Sequence, residues 1–210
     1  MSRLLPRAGA QSAAMTDDPY APPVARVDDP VERPAGEFYV VAPRKFMLLF
    51  VFTVGLYSIY WFYEHWTLYK RFNRQKLWPV PRSIFQIFFT HSLFRAIEQR
   101  LRRTGRRHEW DAEMSATAYV GLQIGSWIID RVLPADLSLG ILLVVLVASI
   151  MLPALPLLSA QRAANRAEGD SAGASNSALT AANIAWLVLG GAFWLMMLLG
   201  VYASLAGIPV

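Results

Sequence analysis

Side chains that could take part in chemistry are few in this sequence, and they are not grouped. Glu64 and His65 are adjacent, and neighbouring residues on a helix point about 100° apart, so they do not form a ready proton-transfer pair. We interpret them as two interfacial residues that end a helix, with a proton-handling pair at a membrane edge as the alternative. His91 and His108 lack the spacing of metal ligands, which favours ordinary polar positions.

No familiar catalytic pattern accompanies these residues. The chain has no cysteine, which excludes disulfides and thiolate metal sites. It also has no recognisable nucleophile–histidine set, phosphate-binding glycine loop or paired-carboxylate site. The sequence therefore predicts a non-enzymatic protein without a cofactor. A membrane-embedded enzyme whose polar site carries no known motif is an alternative.

Basic side chains are concentrated in one stretch of the chain. Residues 67–113 carry eleven basic and four acidic side chains, although the whole chain has a formal charge of only +5. Five of them form an arginine cluster, namely Arg100, Arg102, Arg103, Arg106 and Arg107. Beside membrane helices, each Lys or Arg gains about 1 kcal/mol from anionic lipid. We therefore interpret the cluster as a topology determinant that contacts anionic lipid, and not as a nucleic-acid site.

The segment after this cluster combines small and polar residues. Gly121 and Gly125 are four apart, a spacing that lets two membrane helices pack closely, within the chain, with a membrane partner or in a homo-oligomer. Gln123, Asp130 and Arg131 would mark a polar pathway if the helix continued, and a small transporter or channel subunit is the corresponding alternative. Because Pro134 closes the segment, we favour headgroup positions for the Asp130–Arg131 pair.

Composition and patterning indicate a membrane protein. Hydrophobic residues make up 55% of the chain and charged residues 17%, against about 25% charged residues in soluble domains. Residues 139–158 and 181–210 contain no charge. Runs of about 18 or more such residues can cross roughly 30 Å of hydrocarbon as a helix.

These patterns predict an all-α, multi-pass transmembrane helix bundle. About four membrane helices are expected over 46–66, 114–133, 139–160 and 181–205, with an interfacial helix over 83–103. Residues 1–37 are expected to be a disordered tail, in which translation starts at Met15, and residues 38–210 form the membrane domain. The positive-inside rule places the 67–113 loop in the cytoplasm.

The first segment admits a second interpretation. If residues 46–66 cross the membrane, Arg44 and Lys45 are translocated together with the tail. A re-entrant segment that turns near Gly55 avoids this cost, whereas the length of the segment favours a spanning helix.

The same segment resembles a family of small, uncharacterised bacterial inner-membrane proteins, a domain of unknown function. The resemblance covers about residues 38–97. It rests on Arg44-Lys45-Phe46, Thr53-Val54-Gly55-Leu56-Tyr57, Tyr60-Trp61-Phe62-Tyr63 and Trp78-Pro79-Val80-Pro81-Arg82. It implies a cell inner-membrane location and brings no activity. The resulting hypothesis is a structural or accessory component that contacts anionic lipid or a membrane partner.

Overall fold

The computed structural model describes residues 36–106, 108–134 and 137–207, and within them the chain is entirely helical. Seven α-helices and one short 3₁₀ turn at Ala174–Asn176 follow one another in these ranges. The helices are α1 Pro43–Phe52, α2 Tyr57–Phe72, α3 Pro79–Ile84, α4 Gln86–Arg103, α5 Ala112–Val132, α6 Leu139–Glu168 and α7 Ala181–Leu205. Apart from Gly36 and Glu37, the predicted tail lies outside the described residues.

The stretch predicted as one membrane helix over 46–66 is instead a helical hairpin formed by α1 and α2. Val54 and Gly55 have φ angles of 54° and 82°, in the left-handed region that ends an α-helix. The chain reverses there, because the Phe46 ring of α1 lies 5.8 Å from the Tyr57 ring and 6.1 Å from the Trp61 ring of α2. The prediction of one continuous helix over 46–66 was therefore wrong, and the insertion of this hairpin into a membrane stays a prediction.

Two helices in the described part of the chain, α6 and α7, are long and apolar enough to cross a membrane. The prediction of about four was wrong for two reasons. The 46–66 stretch is divided between α1 and α2. Helix α5 is 21 residues long, but Glu113, Gln123, Asp130 and Arg131 lower its hydropathy.

Helix α6 extends well beyond its predicted end at residue 160. It passes Pro153 and Pro156 and stops only at Gly169, whose φ of 86° caps the helix. Ser159 Oγ donates to Pro156 O at 2.7 Å. The last turns bury a row of small residues, which lets neighbouring elements approach closely. They are Ala160, Ala163, Ala164 and Ala167.

The end of α6 is the centre of a compact region that we call the head. The head comprises residues 36–42, α2, α3 and α4 with the residues that join them, residues 104–106 and 108–111, residues 159–168 of α6 and the loop 169–180. Its core is aromatic: the Trp61 ring lies 6.5 Å from Phe94, and Phe94 lies 5.6 Å from Trp110. Large buried rings contribute most of the apolar area in such a core.

Three helices extend away from the head, and we call them the stalk: α5, residues 139–158 of α6, and α7. Trp110 Nε1, just before α5, donates to Ser159 Oγ at 3.2 Å. At the other end of α5, Ile129 faces Val145 of α6 across a narrow groove. Helices α5 and α6 are therefore antiparallel, and Arg131 lies at the end of the stalk that is remote from the head.

The predicted interfacial helix over 83–103 is not one continuous helix, and α3 and α4 form a second hairpin. The predicted helix is divided at Phe85, where α3 ends and α4 begins. Helix α3 runs from Trp66 towards Ser58 at the start of α2, and α4 runs from Ser58 towards Phe72 at its end.

Helix α4 runs away from Phe85, antiparallel to α5, since His91 Nε2 lies 3.2 Å from Thr117 Oγ1 and Arg95 Nε lies 3.0 Å from Glu113. Phe85 and Phe88 at its start are exposed.

Candidate functional site

The extended backbone ahead of α1 is held by side-chain amides of α6. Asn165 Nδ2 donates to Val41 O at 2.9 Å, and Asn165 Oδ1 accepts from Val41 N at 3.2 Å. Gln161 Nε2 donates to Tyr39 O at 3.0 Å, while its Oε1 accepts from Trp61 Nε1. Both amides are fully buried. They replace the partner strand that this extended segment lacks among the described residues.

Asn176, in the 3₁₀ turn, holds the same segment from the opposite side. Its Nδ2 donates to Val40 O at 2.9 Å, and its own backbone oxygen accepts from Ala42 N at 3.2 Å. We call Gln161, Asn165 and Asn176 the amide clamp. The clamp fixes the point from which α1 starts.

Lys45 connects the first turn of α1 to the loop that precedes α7. Its Nζ donates to Asn176 Oδ1 and to Ala178 O, both at 2.7 Å. Only 5% of Lys45 is exposed, and no carboxylate within the described ranges lies in ion-pair distance of it. Burial lowers the pKa of Lys45.

The tip of the α1–α2 hairpin leaves no backbone N–H group without a partner. Each of the seven N–H groups from residue 53 to residue 59 donates a hydrogen bond within the tip. Thr53 is central, because its Oγ1 donates to Leu49 O at 2.7 Å and accepts from Tyr57 N at 2.9 Å. Such complete pairing is what a chain reversal needs where water is excluded.

Helix α7 covers the carbonyl end of α1. Trp194 Nε1 donates to Val51 O at 3.1 Å. Gly190 faces Phe52 O so closely that a Cβ at this position would lie 1.9 Å from that oxygen. The absence of a side chain at Gly190 therefore sets the approach of the hairpin to α7.

Two members of the predicted arginine cluster, Arg100 and Arg103, bind carboxylates inside the head. Glu37 is fully buried, and Arg103 Nη2 donates to its two oxygens at 3.0 and 3.1 Å. Arg100 Nε lies 3.5 Å from Glu37 and 3.3 Å from Glu168. Asn73 Nδ2 adds a hydrogen bond of 2.8 Å to Glu37.

The other members of the cluster are placed differently. Arg102 pairs with Glu98 at 2.9 Å on the surface of α4. Arg106 donates to Ala167 O, and Arg107 lies outside the described residues. The structure thus brings the four described arginines to one end of the head, and the contact of the cluster with lipid stays a prediction.

His65 is part of the aromatic core. It is fully buried, with its ring 4.2 Å from Trp61 and 6.0 Å from Tyr39. Neither ring nitrogen has a hydrogen-bond partner in the described part of the chain. Burial lowers the pKa of His65 to about 3, opposed in part by the nearby Gln161 amide. Because α2 continues to Phe72, Glu64 and His65 do not end a helix.

The glycine pair of α5 is not in tight contact with a neighbouring helix. A Cβ at Gly121 or Gly125 would meet no described atom within 4 Å. Both glycines line a groove of about 200 Å³ between α5 and α6, opposite Val145 and Ala148. Close packing of this pair against a partner protein remains a prediction.

The three residues of the predicted polar pathway do not share one cavity. Asp130 and Arg131 are exposed and border an open depression beside Trp127 at the remote end of α5. Gln123 is half-buried two turns earlier and does not line that depression. Within the described ranges, no group of three His, Asp or Glu side chains could hold a metal ion.

No protein-family model, curated protein or solved structure matches this chain. The resemblance over residues 38–97 therefore stays a prediction, and the geometry has to carry the functional argument.

Sequence reasoning missed the amide clamp and Glu37. A usable signal existed for part of the clamp: Gln161 and Asn165 are four apart and lie among alanines, which indicates a buried polar stripe on a helix. Glu37 offered no comparable signal, because its partners are far away in the chain.

We predict that Gly190→Ala destabilises the protein. The added Cβ has to push Phe52 away, and overpacking of this kind costs about 1–3 kcal/mol. Thermal unfolding in mild detergent should occur at a lower temperature than in the wild type. Gly200→Ala on the same helix is the matched control, since a Cβ there meets no described atom within 4 Å. Equal melting temperatures for the two variants would contradict this contact.

We also predict that His65 makes the stability of the protein depend on pH. Below its usual pKa of 6.5 the unfolded histidine binds a proton that the folded one does not. The contribution of the neutral His65 to the free energy of unfolding is thus fully present above this pH, and it is lost as the pH falls towards 3. The loss is about 2 kcal/mol at about pH 5.

The variant that tests this effect is His65→Phe, which keeps the ring. Its melting temperature should fall less than that of the wild type between about pH 7.5 and about pH 5. His91→Gln serves as the control, because the His91 ring is partly exposed and lies 3.8 Å from Glu113. If His65→Phe keeps the full pH dependence, the buried neutral histidine is not its source.

Proposed function

We propose that this chain is a non-enzymatic integral membrane protein of a bacterial inner membrane, anchored by its stalk, with its head in the cytoplasm against anionic headgroups. The observation that carries the proposal is the exposure of α7. This helix has 25 residues without a charge, and Gly190 is its only buried residue. In a soluble protein such a helix would occupy the core.

The second support is the length of the uncharged stretches. Residues 139–158 of α6 would extend about 30 Å, which matches the hydrocarbon thickness. Arg162 is the first charged residue after this stretch. Helix α5 lies alongside it, and we infer that it crosses as a third helix that depends on α6 for its insertion.

The distribution of charge sets the orientation. In the described part of the chain, Arg131 is the only basic residue at the remote end of the stalk, and all the others belong to the head or to the first turn of α1. The positive-inside rule then favours a cytoplasmic head, including the loop 67–113. Since the first segment is a hairpin, Arg44 and Lys45 also stay on the cytoplasmic side.

Two exposed arginines are placed where the stalk meets the head. Arg44 lies in the first turn of α1, next to the loop that leads into α7, and Arg162 lies one turn beyond Ser159. Glu168, with its partner Arg100, is nine residues beyond Ser159, or about 14 Å along the helix. The headgroup layer is only about 5–8 Å deep on each side. Arg44 and Arg162 are therefore better placed for lipid contact than the arginine cluster.

Single-cysteine labelling tests the anchoring and the orientation, on a chain that has no native cysteine. We expect Gln99→Cys in the head to react with an impermeant maleimide only after the membrane is opened. Val132→Cys, 70% exposed at the remote end of α5, should react in intact spheroplasts. Leu56→Cys at the hairpin tip should react from neither side before detergent is added.

Two labelling results would overturn parts of this topology. Reaction of Gln99→Cys and Val132→Cys from the same side would exclude a spanning stalk. Reaction of Leu56→Cys from the outside would show that the hairpin crosses the membrane.

The lipid contact is tested by the double change Arg44→Gln with Arg162→Gln. Each basic side chain near an anionic surface contributes about 1 kcal/mol, so we expect the loss of two to lower the affinity for anionic phospholipid roughly 30-fold. Native mass spectrometry of the purified protein can measure this. Arg71→Gln with Arg74→Gln is the charge-matched control at the far end of α2. If both double variants lose the same affinity for anionic phospholipid, there is no specific lipid contact where the stalk meets the head.

A further inference from the structure

We propose that residues 36–207 are wider in the leaflet on the side of the head than in the other leaflet, and that the protein therefore accumulates where the membrane is convex on the side of the head. The inference rests on the proposed function, since it takes α6 and α7 as spanning helices. Its basis is that the two hairpins, α1–α2 and α3–α4, enter only the leaflet on the side of the head.

The depth of the first hairpin can be read from α7. Phe52, the last residue of α1, touches Gly190, which is the tenth residue of α7. At 1.5 Å per residue, the tip lies about 14 Å beyond the start of α7. Half of the hydrocarbon thickness is about 15 Å. The hairpin therefore reaches the middle of the bilayer and turns back.

Helix α6 gives the same depth independently. Val51 and Phe52 share a groove with Ile150 and Met151 of α6. Ile150 precedes Ser159, where α6 enters the head, by nine residues, which again corresponds to about 14 Å.

The second hairpin is slightly shallower. Gln86, the first residue of α4, donates from Nε2 to Ser58 Oγ at 3.1 Å. Ser58 is the second residue of α2 and thus lies one residue above the start of this helix, so the second tip enters the leaflet by roughly 12 Å. The aromatic side chains there point outward, with Phe85 58% and Phe88 79% exposed.

The surfaces of both tips suit hydrocarbon. Residues 46–63 carry no charge, and residues 83–94 carry none except for His91 if it is protonated. Leu56, at the first tip, is 63% exposed. In water these exposed apolar groups would be unfavourable, whereas acyl chains solvate them.

The consequence is a difference in cross-section between the two leaflets. In the leaflet on the side of the head, α1, the first turns of α2, the end of α3 and the start of α4 add to the three stalk helices. In the other leaflet, the described residues contribute only the stalk helices, each about 10 Å wide. A body that is wider in one leaflet has lower energy where that leaflet is expanded.

Sorting into membrane tubes tests the inference on the full chain. The protein carrying Gln99→Cys is reconstituted into giant vesicles and labelled with an impermeant fluorescent maleimide from outside, so that only molecules with outward heads are visible. A tube about 40 nm across is then pulled, and we expect the protein-to-lipid ratio in it to exceed that in the vesicle by at least about twofold.

The outcomes separate the two proposals. If protein is present in the vesicle membrane and its protein-to-lipid ratio in the tube does not exceed that in the vesicle, the proposed difference in width between the leaflets is overturned and the anchoring is left intact. Protein that stays outside the membrane altogether overturns the proposed function instead.

A pair of matched variants identifies the cause of the sorting. Phe88→Glu places a charge on the tip of the second hairpin and should reduce the enrichment. Leu205→Glu places the same charge at the exposed end of α7 and should leave it unchanged. Equal enrichment for Phe88→Glu and the wild type would show that this hairpin does not widen the leaflet.

Discussion

The structure depends on pairing the polar backbone of a short extended segment that has no strand beside it within the described ranges. Gln161, Asn165 and Asn176 supply that pairing through their side-chain amides. Because a buried unpaired amide or carbonyl costs several kcal/mol where water is absent, these contacts are obligatory. They fix residues 39–42 against the end of α6, and this in turn fixes the start and direction of α1. The head and the hairpin are thus built from the same set of amide groups.

The ability of the sequence to predict the helices varied along the chain. The limits of α5 and α7 were predicted to within two residues or fully, because long apolar runs are bounded by Asp111, Pro134 and Thr180. The prediction of a single helix for the first segment was wrong, because an apolar run of 21 residues has the same local pattern whether it forms a spanning helix or a hairpin. Only contacts with Gly190 and Trp194, more than 130 residues away, decide between the two.

The candidate site was less predictable than the fold. The arginines of α4 were found from their density, but their partner Glu37 is 66 residues from Arg103 and lies in a stretch that was taken for a disordered tail. His65 was identified as a titratable group, yet its burial could not be seen from a sequence that places aromatic residues on every side of α2. Pairings of this kind are set by tertiary packing, which has no local signature.

The attachment of α1 to α7 at both of its ends has a mechanical consequence. Lys45 joins the start of α1 to Ala178, and Val51 joins its end to Trp194, so the two helices can move only together. The tilt of a spanning helix changes with the thickness of the bilayer, through hydrophobic mismatch. A change of tilt in α7 is then transmitted through α1 and Pro43 to the clamped segment. The orientation of the head relative to the membrane plane would thus follow bilayer thickness.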